Sequence, residues 1–382
     1  MAYDKVVDSA SLDSKLTQVA DAIRTKGNTS ADLQFPSGFI SAIQAIQTGT
    51  ELQIIVSVTS GATVTATKGS KVVSGTSVNG TCTLVVPEAG TWSVKATLGG
   101  ETSDTKSVTF TDRYALAFFL VSAVLNDNDW ATIKTVSDAG QGANYWSIGD
   151  RKAITLDGTV GHLTLSNYTT YAFIIGFNHN ASVEGANRIH FQLAKTALSG
   201  GTDVCLCDSS YFSNVSTTGY LSMNSSKTNS GGWESSQMRT NICGTSLSSY
   251  SGMIIGAIPA ALRDVLKPVT KYTDNTGGGN GNVASNVTAT TDYFFLLSEF
   301  EVFGSILWGN TNEENKQAQY EYYSAGNNNI KYKHNGTTTA AYWYLRSPNG
   351  SNSTNFLRVN TNGGAAKNVA SYSLGFSPGF CV

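Results

Sequence analysis

Tyr342-Trp343-Tyr344-Leu345-Arg346-Ser347-Pro348, and then Gly375-Phe376-Ser377-Pro378-Gly379-Phe380-Cys381-Val382 at the C-terminus, frame a stretch of different character. Between them lie Asn349, Ser351, Asn352, Ser353, Asn355, Asn360, Asn362, Asn368, Ser371, Tyr372 and Ser373, with Arg358 and Lys367 the only charges. The framing residues Trp343, Leu345, Phe356, Val359, Phe376 and Phe380 read as buried scaffold. Arg346 within that scaffold calls for a carboxylate or backbone carbonyls, because an unpaired buried guanidinium is costly. Asn and Ser with Tyr supply adaptable hydrogen bonds and aromatic contact at low entropic cost, the composition of a paratope. The expected contact residues are Tyr342, Tyr344, Asn349, Asn352, Asn355, Arg358, Asn360, Asn362, Lys367, Asn368, Tyr372 and Leu374, exposed and clustered. A polar loop that merely covers a core has the same composition.

Outward from this segment, the chain of 382 residues is long for one domain. Charged residues are 14% of it, against about 25% in ordinary soluble proteins. Uncharged polarity, 38 Gly and an aromatic set of 16 Phe, 17 Tyr and 6 Trp take their place, enough to build a core. A net charge of -2 offers nothing to nucleic acid or an anionic membrane. The N-terminus lacks a signal-peptide layout, so synthesis in a cytoplasm is expected, with export, if any, not by a Sec signal. The longest apolar run, Tyr114 to Leu125, is too short for a bilayer span and reads as a buried strand.

The period of the apolar residues divides the chain into three parts. In residues 1–50, Leu12, Leu16, Val19 and Ile23 recur at helical spacing after Ser11 as N-cap. Phe39, Ile40, Ile43 and Ile46 predict a second helix after Pro36, ending at Gly49. Such a hairpin must pack on copies of itself, on another protein or on the next domain. Residues 51–112 alternate with period two and predict a small immunoglobulin-like β-sandwich acting as a spacer. Residues 113–382 are aromatic and Gly-rich, with helices expected at 259–266 and 313–323 and a flexible loop at Thr276 to Gly281.

The residue patterns of catalysis are missing. Gly375-Phe-Ser-Pro-Gly379 matches G-x-S-x-G, yet a nucleophile elbow needs a following helix and a downstream acid and histidine. His162, His179, His190 and His334 are scattered and read as structural. Glu299 and Glu301 share a face if their segment is a strand, which is common and weak as a dyad. Cys82, Cys205, Cys207, Cys243 and Cys381 are odd in number and read as free buried thiols. The expectation is a protein that is not an enzyme and has no cofactor or catalytic metal.

Six ordered motifs carry a resemblance. They are Asn126-Asp-Asn-Asp-Trp-Ala-Thr-Ile133, Ala143-Asn-Tyr-Trp-Ser-Ile-Gly-Asp150, Gly231-Gly-Trp-Glu-Ser-Ser-Gln-Met-Arg239, Phe295-Leu-Leu-Ser-Glu-Phe-Glu-Val-Phe-Gly304 and the two framing segments. Together they resemble a domain of gut bacterial phages and prophages related to the C-type lectin fold. Formylglycine-generating enzymes and the variable proteins of diversity-generating retroelements share that fold. Leu16 to Gly27 and Phe35-Pro-Ser-Gly-Phe39 are similar to an attachment segment of phage tail proteins.

The resemblance implies a mainly β chain with an α+β, C-type-lectin-like head. It implies a tail-tip receptor-binding protein, homotrimeric, located in the virion tail, with a variable-looking segment at 342–382. Retroelement variation at template adenines converts Asn codons into the polar set found there. The implied partners are a host cell-surface protein or glycan and other tail proteins. A structural tail or baseplate protein and a glycan-acting enzyme are the alternatives. The calcium-binding proline motifs of animal lectins are absent, and paired cysteines of a formylglycine-generating site are not evident.

Overall fold

The computed structural model describes residues 9–26, 32–34, 38–39, 51–110, 114–118 and 121–382. It is mainly β, with several sheets and a small N-terminal helix. The helix runs from Ser9 to Lys26, so Ser11 lies inside it and not at its cap. Ala20 and Ile23 are buried with Phe39, and Leu16 and Leu33 pack against them. Beyond Gly38 and Phe39, the second expected helix falls outside the described residues.

From Leu52 the alternation of apolar and polar residues gives each strand one face to bury. The strands are β1 (Leu52–Ser57), β2 (Thr63–Lys68), β3 (Lys71–Thr76), β4 (Thr81–Val86), β5 (Thr91–Leu98), β6 (Glu101–Thr102), β7 (Lys106–Thr109) and β8 (Tyr114–Phe118). One sheet has the order β4-β1-β8, with β8 parallel to β1. The other has the order β3-β2-β5, and β6 and β7 both pair with β5. Ile54, Val56, Leu84 and Val86 of the first sheet share a buried core with Val64, Trp92, Val94 and Ala96 of the second. Tyr114 to Phe118, expected to open the next part, thus completes this sheet, and Leu125–Asp127 is a 3-10 turn.

The C-terminal head contains β9 (Arg151–Val160), β10 (Leu163–Phe177), β11 (Ile189–Lys195), β12 (Val204–Cys205), β13 (Val269–Asp274), β14 (Val287–Asp292) and β15 (Phe294–Phe295). These are followed by β16 (Lys331–Lys333), β17 (Gly336–Ala341), β18 (Trp343–Pro348), β19 (Asn355–Val359), β20 (Ala365–Val369) and β21 (Gly379–Cys381). The main sheet has the order β15-β21-β11-β10-β9. Every residue of β11 is buried, and the chain's last strand lies beside it. Ile189 and Val382 exchange backbone hydrogen bonds of 3.0 and 3.1 Å. The β9–β10 turn requires Gly161, at φ +58°, because a Cβ there would stand 1.9 Å from the Gly219 carbonyl oxygen. Three smaller sheets, β12-β16-β17, β13-β14 and β18-β19-β20, complete the head.

Several local expectations change. Glu299 to Phe303 is a short helix, closed by a Ser298–Glu301 capping box, so Glu299 and Glu301 do not face one way as on a strand. The helix expected over 313–323 is broken into a 3-10 turn, Thr311–Asn315, and a helical turn, Glu321–Ser324. Pro259 does precede a helix, limited to Ala260–Arg263. The Gly-rich loop at 276–281 is held in place: Asp274 Oδ1 accepts from the Thr276 and Gly277 amides, and Asn229 Oδ1 accepts from Gly278. All five cysteines are free and buried, as expected.

Trp343, Leu345 and Phe380 are fully buried, and beside them lies an ionic network. Arg346 makes a two-point contact with Glu301, from Nη1 to Oε2 and from Nη2 to Oε1 (2.9 Å for the latter). Its Nε donates to Thr273 Oγ1 at 2.7 Å and its Nη1 to the Leu296 carbonyl at 2.9 Å. Lys271 Nζ donates to Glu301 Oε1 (2.8 Å), Glu184 Oε2 (2.6 Å) and the Tyr320 hydroxyl (2.8 Å). Burial opposes ionisation of Glu301, but Arg346 and Lys271 outweigh it and hold that carboxyl well below the usual range. Glu313 accepts from the Asp274 amide and the Ser347 hydroxyl, and burial still pushes it up to about 7.

The two carboxyls therefore act on stability with opposite sign. The Glu301 contribution is present above its unfolded pKa and is lost as pH falls. The Glu313 contribution is complete below the value of a free glutamate and is lost as pH rises through about 7. A carbon-13 NMR titration of the folded protein is expected to place the Glu313 carboxyl midpoint near 7. A midpoint in the ordinary carboxylate range, near ~4.3, would contradict the dry environment assigned to it.

Candidate functional site

The loop that carries Tyr211 and Phe212 is tied to the segment just after β20. Phe212 donates its amide to the Ser373 carbonyl (2.7 Å), Val215 to Ser371 (2.7 Å), and Ser373 returns a bond to Ser213 (3.0 Å). Asp208 fixes the base of the loop, accepting from the Ser210 and Leu221 amides and the Ser373 hydroxyl. The Tyr342 amide donates to the Tyr211 hydroxyl at 2.8 Å. These bonds bring four aromatic rings from distant positions onto one surface.

Phe212 stacks on Tyr342 with centroids 5.0 Å apart, and Tyr372 meets it edge-on at 5.9 Å. The Arg358 guanidinium lies 3.7 Å from the Tyr342 ring centre. A guanidinium and a second ring cannot share one face at these distances, so Tyr342 is sandwiched between Arg358 and Phe212. Lys333 Nζ lies 4.2 Å from the Tyr211 ring. Phe212 is 47% exposed and has φ +63°, a left-handed conformation that bulky side chains rarely adopt. The result is a cation-backed aromatic platform on the protein surface.

Of the residues expected in a contact face, Tyr342, Arg358 and Tyr372 come together here, each partly buried, the two tyrosines against the core. Tyr344, Asn349 and Leu374 are fully buried, which removes them from any such face. Tyr344 donates its hydroxyl to the Val369 (2.8 Å) and Tyr372 (3.1 Å) carbonyls, beneath the platform. The asparagines mostly build turns. Asn349 Oδ1 accepts from the Ser351 amide, Asn352 Oδ1 from that of Thr354, and Asn362 Oδ1 from that of Gly364. Asn229 donates to the carbonyls of Asn349, Asn352 and Asn355. Asn360 and Asn362 lie in the β19–β20 turn, where Asn362 is exposed, and Asn368 sits against the Tyr344 hydroxyl. The Lys367 carbonyl accepts from Arg358 Nε at 3.2 Å, while its ammonium lies 4.3 Å from the ring centre of half-exposed Trp308.

Tyr211, Phe212 and Lys333 were not expected in the face, because they lie outside the framed segment. The one available signal was an aromatic pair inside the polar run Asp208-Ser-Ser-Tyr-Phe-Ser-Asn214. His179 and His190 also meet, with rings 5.6 Å apart, although the sequence scatters them. Ligand atoms of His179, Glu184 and Glu301 lie within 4.8 Å of one another. Lys271 already bonds both carboxylates, so the group is a buried salt-bridge cluster. Ser377 is buried and gives its hydroxyl to the Leu193 carbonyl, not to a histidine.

Tyr342 and Tyr344 are expected to separate in denaturant unfolding. Tyr344→Ala should cost about 3–5 kcal/mol, the range of buried aromatic truncations. Tyr342→Ala should cost about 1 kcal/mol, mainly its cation–π contact. Equal losses would contradict the assignment of one ring to the scaffold and the other to the face.

Residues 203–382, just under half of the chain, match the model of a family described as a domain of unknown function, DUF6273. The match contains every platform residue, together with Lys271, Glu301 and Arg346. No curated protein and no solved structure matches the chain.

Proposed function

We propose that the chain is a receptor-binding protein of a phage tail, with a C-type-lectin-like head that recognises a ligand on the host cell surface. In this reading the N-terminal helix belongs to an attachment and trimerisation segment. The sandwich is an immunoglobulin-like spacer, and the protein resides in the virion tail without a catalytic role. The observation that carries the reading is the platform of Phe212, Tyr342, Arg358 and Tyr372. Solvent-facing aromatic and Arg side chains on a rigid support are the anchors that dominate recognition surfaces. Their support is separate from them: Tyr344, Leu374 and Arg346 fold the head from below. A retroelement changing outward side chains would leave that support intact.

The test is adsorption of the purified chain to a panel of gut bacterial strains. Against a strain that the wild-type chain binds, Phe212→Ser with Arg358→Ser is expected to weaken adsorption by about tenfold or more, as loss of two anchors does. The melting temperature should stay close to that of wild type. Adsorption by this variant at the wild-type level would overturn the reading.

A further inference from the structure

The chain contains five Asn-Gly dipeptides: Asn79-Gly80, Asn280-Gly281, Asn335-Gly336, Asn349-Gly350 and Asn362-Gly363. In such a pair the glycine amide nitrogen can attack the asparagine Cγ, expelling ammonia and closing a succinimide ring. Water then opens the ring at either carbonyl and leaves aspartate or isoaspartate. Glycine favours the attack because it has no Cβ in the way. The attacking nitrogen must give up its proton, so a fixed acceptor on that N–H opposes the step. A bond that ties down the asparagine side chain opposes it as well. We infer that Asn335 is the modification site of the folded chain, the one Asn-Gly asparagine converted to aspartate and isoaspartate, with water as the co-reactant.

The fold holds the other four. Asn349 is fully buried with Oδ1 bound by the Ser351 amide, and Gly350 donates to the Trp308 carbonyl at 2.9 Å. Asn280 Nδ2 donates to the Gly277 carbonyl at 2.9 Å, and Gly281 donates to the Gly350 carbonyl at 2.7 Å. Asn362 Oδ1 accepts from Gly364 at 3.2 Å, and Gly363 donates to the Asn360 carbonyl at 2.9 Å. Asn79 is exposed, but its backbone is left-handed at φ +52°, and buried Gly80 donates to Ser60 Oγ at 2.8 Å. Asn335 differs. It is exposed at the tip of the β16–β17 hairpin and stays out of the left-handed region. Its side chain has no hydrogen-bond partner among the described residues. Gly336 pairs only with Lys333, and the register shifts directly beyond that pair, with Thr337, Thr338 and Thr339 exposed. Conversion adds a negative charge to a chain of net charge -2. The new carboxylate stands two residues from Lys333, whose ammonium faces the Tyr211 ring.

The experiment incubates the full chain in mildly alkaline buffer made with oxygen-18 water and follows the five peptides by mass spectrometry. Isoaspartyl methyltransferase labelling is the second readout. Asn335 is expected to take up the label about tenfold faster than each of the other four, the difference that roughly one hydrogen bond makes to a rate. In denaturant the five rates should draw together, since the fold no longer separates them. Gly336→Ala should slow the conversion by about tenfold or more. It should also keep the wild-type melting temperature, because the added Cβ meets nothing closer than Thr339 Oγ1 at 3.8 Å. Uptake at Asn335 no faster than at Asn79 or Asn362 would overturn the inference. So would a rate indifferent to Gly336→Ala, or the same spread of rates in denaturant, which would trace the preference to flanking residues and not to the fold.

Discussion

The two-point contact between Arg346 and Glu301, continued through Lys271 to Glu184, is the constraint on which the head depends. It joins β18, the short helix at 299–303, β13 and the segment at 181–184, elements far apart in the sequence. Removing two charges from water is costly, and only mutual pairing with full hydrogen bonding repays it. Here the guanidinium has partners on Nε, Nη1 and Nη2, and the ammonium has three acceptors. An arrangement that displaced any one of these elements would strand a buried charge. The network thus selects one packing for a domain whose regular structure is short and interrupted.

That packing explains how β18 and β21 come to be buried along their whole length. Trp343, Leu345 and Phe380 fill the core, while the chain's last residue is bonded into the central sheet beside Ile189. With the support fixed from below, the loop at 208–214 and the ends of β19 and β20 hold their side chains outward. Phe212, Tyr342, Arg358 and Tyr372 can change without touching the ionic network. This division between a costly interior and a permissive surface is what the proposed recognition role requires.

How far the sequence reveals this depends on the kind of residue. Arg346 could be expected to sit on a carboxylate because an apolar strand leaves a guanidinium few other options. Its partner Glu301 was visible too, but alternation suggested a strand. The spacing of Ser298 and Glu301 fits a capping box, and the helix it starts is what turns the carboxylate inward. Asparagines are harder. Asn349 and Asn352 serve as turn acceptors, and composition cannot separate that role from ligand contact. Phe212 was missed for a different reason: its place beside Tyr342 arises only from tertiary pairing of residues 211–215 with 371–373. The boundary after Asp112 moved because the sandwich takes its last strand, Tyr114 to Phe118, from the apolar run beyond it.

The central claim is that the Arg346–Glu301 pair organises the head, and native-state amide hydrogen exchange in an Arg346→Met variant tests it most directly. Protection of the amides in β13, β18 and β21 is expected to fall together, by about 3–5 kcal/mol, since Glu301 loses its guanidinium and is left to share Lys271 with Glu184. Protection in the sandwich strands β1 to β5 should stay as in wild type. Protection of β18 and β21 within about 0.5 kcal/mol of the wild-type values would contradict the account.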